Sequence, residues 1–169
     1  MIWWLFVPVM VLATMLVGIV ATLAARVHPI IRFAATVSAL SAVAMPVAIV
    51  LHNITSAWIG ADDAVTFIVA LLVAPAAFAL GTFVLARDLE KDERRSAMAR
   101  GFTIAASGVS LMVAYVVFDL VIAMFGDVPE YVAVVEAIVL PVAALVTAVG
   151  AAMSAIALAR ENTLFPDAR

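Results

Sequence analysis

Residues 118–139, FDLVIAMFGDVPEYVAVVEAIV, hold the end of one apolar run, a polar turn at 126–130, and the start of another apolar run. Gly and Pro in the turn are typical helix interrupters. Both flanks are continuously apolar and do not alternate, which favours membrane-spanning helices over barrel strands. Because the turn is short, the two helices must be neighbours. The segment therefore predicts an antiparallel pair of transmembrane helices.

Similar apolar runs recur along the rest of the chain. A helix needs about 20 mostly apolar residues to cross a bilayer, and five windows meet this requirement: 2–25, 31–52, 64–86, 101–125 and 131–159. The chain is 67% hydrophobic and 12% charged, about half the charged share of a soluble domain. Its mean hydropathy is +1.25. We therefore predict an all-α polytopic membrane bundle of five transmembrane helices, with residues 1–169 forming one domain.

The basic residues occur in only some of the connectors. If the chain has five spans, the first connector, the third connector and the C-terminal tail share one side of the membrane. These segments hold all nine Lys and Arg residues: Arg26, Arg32, Arg87, Lys91, Arg94, Arg95, Arg100, Arg160 and Arg169. The positive-inside rule places that side in the cytoplasm. We therefore predict an outside N-terminus, a cytoplasmic C-terminus, a cytoplasmic connector at 87–100, and a multi-pass protein of a prokaryotic inner (plasma) membrane.

Two carboxylates interrupt the apolar runs on either side of the opening turn. Asp119 and Glu136 lie roughly 8–10 Å below the outer helix ends, at 1.5 Å per residue, so they share one depth. Tyr115 precedes Asp119 by one helical turn, and His52 lies at the outer end of the second span. Acids within a membrane usually face a bundle interior, a partner or water. These four residues are therefore candidates for a proton or cation site.

Two other interpretations of the acids stay open. They could be purely structural, reaching water through a shallow crevice or bonding to nearby hydroxyl groups. They could also contact a base from another subunit, since no Lys or Arg lies on their own side of the predicted membrane. If Asp119 and Glu136 do approach each other, their mutual repulsion favours sharing one proton.

The sequence offers little for a cofactor to bind. The chain has no cysteine, which excludes disulfides, thiolate metal sites and cysteine nucleophiles. His28 and His52 end opposite sides of the predicted membrane, so they cannot both ligate one haem within a single chain. His52, Asp119 and Glu136 are suitable metal ligands by type, but no spacing pattern supports a metal. We predict no cofactor, with a haem or metal at His52 as a weaker alternative.

The connector RDLEKDERRSAMAR at 87–100 mixes five bases with four acids. This pattern is typical of a solvated helical extension with internal ion pairs. A functional alternative is that its bases dock onto anionic lipid headgroups or a cytoplasmic partner. The candidate docking residues are Arg87, Lys91, Arg94, Arg95 and Arg100.

Small residues spaced four apart occur in every span, as close packing of helices in lipid requires. Their positions are 14, 18 and 22; 34, 38 and 42; 70 with 74, then 77 with 81; 106, 110 and 114; and 144, 148 and 152, beside Gly150 and Ser154. Three prolines, Pro46, Pro75 and Pro141, lie inside predicted spans. Each should remove a backbone hydrogen bond and bend its helix.

Common catalytic motifs are missing from the sequence, including phosphate loops, dinucleotide fingerprints, HExxH and GxSxG. The bases flank spans and form no nucleic-acid-binding stripe. We therefore favour a non-catalytic integral membrane subunit, in contact with lipid, that assembles with other membrane chains or with itself, in a respiratory or transport complex. The alternative is a small proton- or cation-coupled carrier or channel that uses Asp119 and Glu136. A membrane enzyme working at the outer surface is a third and weaker interpretation.

Overall fold

The computed structural model describes residues 3–24, 29–59, 69–124 and 130–164. These residues form helices and turns with no strand. The spans are α1 (Trp3–Ala24), α2 (Pro29–Ile59), a π-helical turn (Val69–Val73) that continues as α3 (Ala74–Leu89), α4 (Ser96–Met124) and α5 (Glu130–Leu164). Within the described residues, five helices are long and apolar enough to cross a membrane. The predicted all-α bundle with five candidate spans is confirmed.

Several helices continue past the apolar windows. Helix α2 runs to Ile59 and α5 runs to Leu164. Helix α3 ends at Leu89 and α4 begins at Ser96, so the non-α part of the 87–100 connector is a turn followed by the 3-10 helix Glu93–Arg95. Backbone hydrogen bonds form within a helix in water as well as in lipid, so a helix does not have to end where its apolar part ends.

The spans pack as a closed ring in chain order. Each helix contacts its chain neighbours, and α5 returns to contact α1. The start of α4 and the end of α5 meet through the Arg95–Glu161 ion pair, so these two helices are antiparallel. We call this the basic end of the bundle, and the other the acidic end. The described bases at the basic end are Arg32, Arg87, Lys91, Arg94, Arg95, Arg100 and Arg160.

The α4–α5 seam is the closest helix contact in the ring, with backbone packed on backbone. A Cβ atom added at Gly150 would lie 2.2 Å from the Ala105 nitrogen, and one added at Gly101 would lie 2.6 Å from the Ser154 nitrogen. At Gly108 it would lie 2.3 Å from Thr147 Oγ1. Real side chains do not fit at such distances, so only glycine permits this approach.

The small-residue pattern predicted in α4 is therefore partly wrong. Of its members, Ala106 is buried but Ala114 is exposed, and the α5 seam is made by Gly101, Ala105 and Gly108 instead. Because the chain is rich in alanine, several sets of small residues on α4 have a similar spacing. The spacing alone therefore does not identify the set that contacts α5.

The α1–α2 and α2–α3 contacts agree better with the predicted pattern. Gly18 faces Ala39 and Ala42. Gly81 faces the backbone at Ser38, whose buried Oγ lies 2.9 Å from Thr82 Oγ1. This hydroxyl pair gives α2 and α3 a polar contact inside the bundle, where alternative partners are few.

The prolines and the glycines separate along the bundle. Pro46 and Pro141 lie inside α2 and α5 as predicted. Pro75 is instead the second residue of α3, directly after the π-helical turn, where a missing N–H is tolerated. All three lie toward the acidic end, as does Pro8 of α1. The packed glycines lie at mid-bundle or toward the basic end.

Candidate functional site at the acidic end

Asp119 and Glu136 lie on neighbouring helices near the acidic end. Asp119 is on α4, Glu136 is on α5, and both side chains are half-buried. Tyr115 lies one helical turn before Asp119 on α4, and it packs in the same cluster as Leu140, which lies one turn after Glu136 on α5. The three residues therefore lie along the same α4–α5 contact. The structure places these three residues along one helix–helix contact, and their role as a single site stays a prediction.

Tyr115 is the deepest polar group of this neighbourhood. Its side chain is only 5% exposed, and it packs with Val116, Leu140 and the half-buried Leu71 and Met112. Its hydroxyl makes no hydrogen bond to any residue that the structure describes. A buried tyrosine hydroxyl usually has a hydrogen-bond partner. Burying a hydroxyl without one costs about 1–3 kcal/mol of folding free energy. Among the described residues, the site therefore holds a buried hydroxyl group without a hydrogen-bond partner, near two acids.

An apolar cavity of about 40 Å³ lies deeper in the bundle than the acids. Every span contributes to its lining, which is apolar throughout and consists of Phe6, Val7, Met10, Val11, Met45, Ile49, Leu71, Met112, Leu140 and Ala143. A water molecule needs two to four polar partners, and this lining supplies no polar side chain. The cavity is therefore suited to hydrocarbon.

Two helix faces connect the acids to this cavity. They are Asp119, Tyr115 and Met112 on α4, and Glu136, Leu140 and Ala143 on α5. In each set the residues are separated by four and then three positions, so they lie on one side of their helix. At 1.5 Å per residue, each stripe spans about 10 Å. We call these two stripes, with the cavity beneath them, the acidic seam.

No compensating base is present at this end in the described part of the chain. Every Lys and Arg that the structure describes lies at the basic end. Half-buried carboxylates without a nearby positive charge carry a desolvation cost. The acidic seam is therefore suited to a cation or to a shared proton.

The fourth predicted residue, His52, lies within α2, whose helix continues to Ile59. His52 therefore does not end its helix, although it follows the most apolar part of the span. Its side chain falls outside the described part of the chain, so its membership of the site stays a prediction. Within the described residues, no three His, Asp or Glu side chains come together as a metal-binding group.

The 87–100 connector packs onto the end of α5. Arg95 Nη2 lies 2.9 Å from Glu161 Oε1, and Arg95 is also 3.9 Å from Asp92. Lys91 pairs with Asp88. The Lys91–Asp88 and Arg95–Asp92 pairs agree with the internal pairing expected from the sequence, whereas Arg95–Glu161 joins the connector to α5. The remaining docking candidates, Arg87, Arg94 and Arg100, are exposed together with Lys91, and docking stays a prediction.

The cavity is the part of the site that sequence reasoning missed. Its lining residues are ordinary apolar side chains dispersed over five spans, and no local pattern marks them. One partial signal exists in the sequence. Met112 lies seven positions before Asp119 and Leu140 lies four positions after Glu136, so each shares a helix face with its acid. No family model, curated protein or solved structure matches this chain.

Proposed function

We propose that the chain is a non-catalytic integral membrane subunit that assembles with other membrane chains. The observation that carries this proposal is the outer surface of α4. Its exposed positions include the small or hydroxyl-bearing residues Ala97, Thr103, Ser107 and Ala114, which we call the α4 face. The same helix also exposes Arg100, Leu111 and, toward the acidic end, Val117, Phe118, Val121 and Met124. Small and hydroxyl-bearing residues are typical of helix–helix contacts in membranes.

The other spans present a different surface. Exposed positions on α1, α2, α3 and α5 are mostly large apolar side chains, such as Leu12, Phe33, Leu80 and Leu145. Such a belt suits lipid. The α4 face differs in having four small or hydroxyl-bearing residues on one helix. Its hydroxyl groups donate within the helix, Thr103 to the Ala99 carbonyl and Ser107 to the Thr103 carbonyl, as those of the exposed Thr22 on α1 and Thr36 on α2 also do. A second helix can approach this face closely at little cost.

Cross-linking tests the assembly directly, because the chain has no native cysteine. We expect Ser107→Cys, treated with a short bifunctional reagent in native membranes, to form a discrete adduct with a second chain. Leu80→Cys, on the exposed surface of α3, is the matched control and should form none. Mass spectrometry identifies the second chain as a different protein or another copy. Equal cross-linking at both positions, or none at Ser107→Cys, would contradict the proposal.

The proposed orientation puts the basic end in the cytoplasm of a plasma membrane. It is supported by the grouping of the bases at one end of the bundle. Asp62 lies between the predicted spans 31–52 and 64–86, on the side opposite the bases. We expect Asp62→Cys to react with a membrane-impermeant maleimide in intact cells, and Arg94→Cys to react only after the membrane is opened. Reaction of both variants from the same side of the membrane would contradict this orientation.

A second candidate function is a small proton- or cation-coupled carrier or channel. The observation in its favour is the acidic seam, with two acids and a Tyr115 hydroxyl that has no hydrogen-bond partner among the described residues. The basic half is closed by fully buried side chains such as Phe78, Phe102 and Leu85, so transport would need a second conformation. We expect liposome flux through a carrier to collapse in both Asp119→Asn and Glu136→Gln. Flux that persists in both variants would reject this candidate.

A further inference from the structure

Three features of the acidic seam indicate the same kind of ligand. Asp119 and Glu136 have no compensating base at their end of the described chain, and the Tyr115 hydroxyl has no hydrogen-bond partner among the described residues. The cavity below them is bounded by apolar side chains only. A single ligand with a positive head and an apolar tail would complete all three.

We propose that the acidic seam binds a small hydrophobic cation of the alkylammonium class. Its ammonium group lies between Asp119 and Glu136, and its unbranched hydrocarbon tail runs past Tyr115 into the cavity. This is a binding site, and it holds whether the chain is a subunit or a carrier.

The head-group chemistry follows from what each side chain can donate or accept. Ionised carboxylates only accept hydrogen bonds, whereas an ammonium group offers three donors and no acceptor. One ammonium group can therefore donate to both acids and to the oxygen of Tyr115. The Tyr115 hydroxyl can at the same time donate its own hydrogen to a carboxylate. A monovalent cation also reduces the repulsion between the acids and their desolvation cost. A neutral or anionic head would leave that cost in place.

The tail chemistry follows from the size and lining of the cavity. At about 40 Å³, the cavity has room for a few atoms of a ligand, since one water molecule needs about 10–15 Å³ of such space. This suits the end of a narrow aliphatic chain and not a bulky aromatic group. Met10, Met45 and Met112 contribute flexible thioethers to the lining, and such side chains adapt to irregular apolar ligands.

The distance between the two parts sets the length of the ligand. The α4 and α5 stripes place the acids about 10 Å from the deeper cavity residues. An octylammonium ion has a length of this order, whereas butylammonium is too short to reach the cavity. Some bilayer lipids also carry an ammonium head. If that head lay between the acids, the phosphate and glycerol groups next to it would lie in the apolar part of the seam. We therefore assign a free amphiphile.

Photolabelling tests the assignment on the full chain in phosphatidylcholine nanodiscs. The probe is an octylammonium ion with a diazirine at the end of its tail. We expect saturable labelling of the peptides that contain Met112 and Leu140. Unlabelled octylammonium should compete strongly, whereas octanol and butylammonium should compete weakly. Equal competition by octanol would overturn the proposal, because the charge would then play no part.

Variants separate the head-group contacts from the tail contacts. We expect Asp119→Asn and Glu136→Gln each to weaken the competed labelling about tenfold, the effect of losing a hydrogen bond to a charged group. Tyr115→Phe should give a smaller loss. Glu90→Gln, an exposed acid of the connector, is the matched control. Unchanged affinity in both acid variants would overturn the assignment.

The cavity has its own matched pair on α1. Val11→Phe adds bulk to the lining and should abolish the saturable component, whereas Val9→Phe, on the exposed surface of the same helix, should not change it. Labelling of Val11→Phe equal to that of the wild type would overturn the proposed path of the tail. Loss of the saturable component when phosphatidylethanolamine is added to the nanodiscs would show that a lipid head occupies the seam, and would overturn the free-amphiphile assignment. Thermal unfolding of each variant confirms that the bundle is intact.

Discussion

The two halves of this bundle are built differently. The basic half has glycine-mediated backbone contacts between α4 and α5, fully buried aromatic side chains and the Arg95–Glu161 pair. The acidic half has the prolines of four spans, a π-helical turn, a cavity, and two acids near a tyrosine whose hydroxyl has no hydrogen-bond partner among the described residues. In the described part of the chain, the first half contains ion pairs such as Arg95–Glu161, whereas the second has no base near its acids.

This difference agrees with the general division between stability and function within one fold. Regions that bind ligands or move are drawn from the less stable parts of a structure. Prolines and π turns leave helix carbonyls without their usual partners, and they occur here where the packing is least complete. We therefore expect the basic half to hold the bundle together and the acidic half to carry the chemistry.

The largest expected contrast is between two phenylalanines. Phe102 is fully buried in the basic half, whereas Phe6 is half-buried and lines the cavity. We expect Phe102→Ala to lower the free energy of unfolding by about 3–5 kcal/mol, because it creates a new void. Phe6→Ala only enlarges an existing one and should cost less than half as much. Reversible unfolding of both variants in mixed micelles measures the contrast, and equal losses would break it.

The next contrast lies within α5. Gly150→Ala should destabilise the bundle by about 1–3 kcal/mol through overpacking, even though alanine is the better helix former. Pro141→Ala, in the acidic half, should stay within about 1 kcal/mol of the wild type, because it restores a backbone donor to the helix. Thermal midpoints in one detergent compare the two.

Gly18→Ala serves as the control for the first of these changes. Its added Cβ would lie 3.3 Å from the Ala39 Cα, a contact that a small adjustment relieves, so we expect little change. A larger loss in Gly18→Ala than in Gly150→Ala would show that the α4–α5 seam is not the closest contact.

The smallest contrast concerns two hydroxyl groups. Ser38→Ala removes the partner of Thr82 across the α2–α3 contact and should cost about 0.6 kcal/mol, the average for such bonds in membranes. Tyr115→Phe removes a hydroxyl without a described partner, so it should be neutral or slightly stabilising in the absence of ligand. Unfolding titrations of both variants test the sign. A clear destabilisation by Tyr115→Phe would indicate a satisfied hydroxyl and weaken the proposed site.

Several features were predictable because they depend on neighbouring residues alone. The five spans follow from the length of the apolar runs compared with the thickness of a bilayer. The shared face of Asp119 and Tyr115 follows from their spacing of four, and the neighbouring positions of α4 and α5 follow from a short turn. The grouping of the bases was also visible from their order along the chain. Each of these inferences needs only helix geometry and sequence distance.

Other features were decided by the tertiary structure. The return of α5 to α1 closes the ring, and the cavity exists only because side chains from all five spans fail to fill the space between them. The residues of α4 that contact α5 are Gly101, Ala105 and Gly108, although other sets of small residues on α4 have a similar spacing. Helices in lipid associate mainly through close packing. The face that a helix presents therefore depends on the shapes of all its neighbours at once, and a local sequence pattern does not encode those shapes.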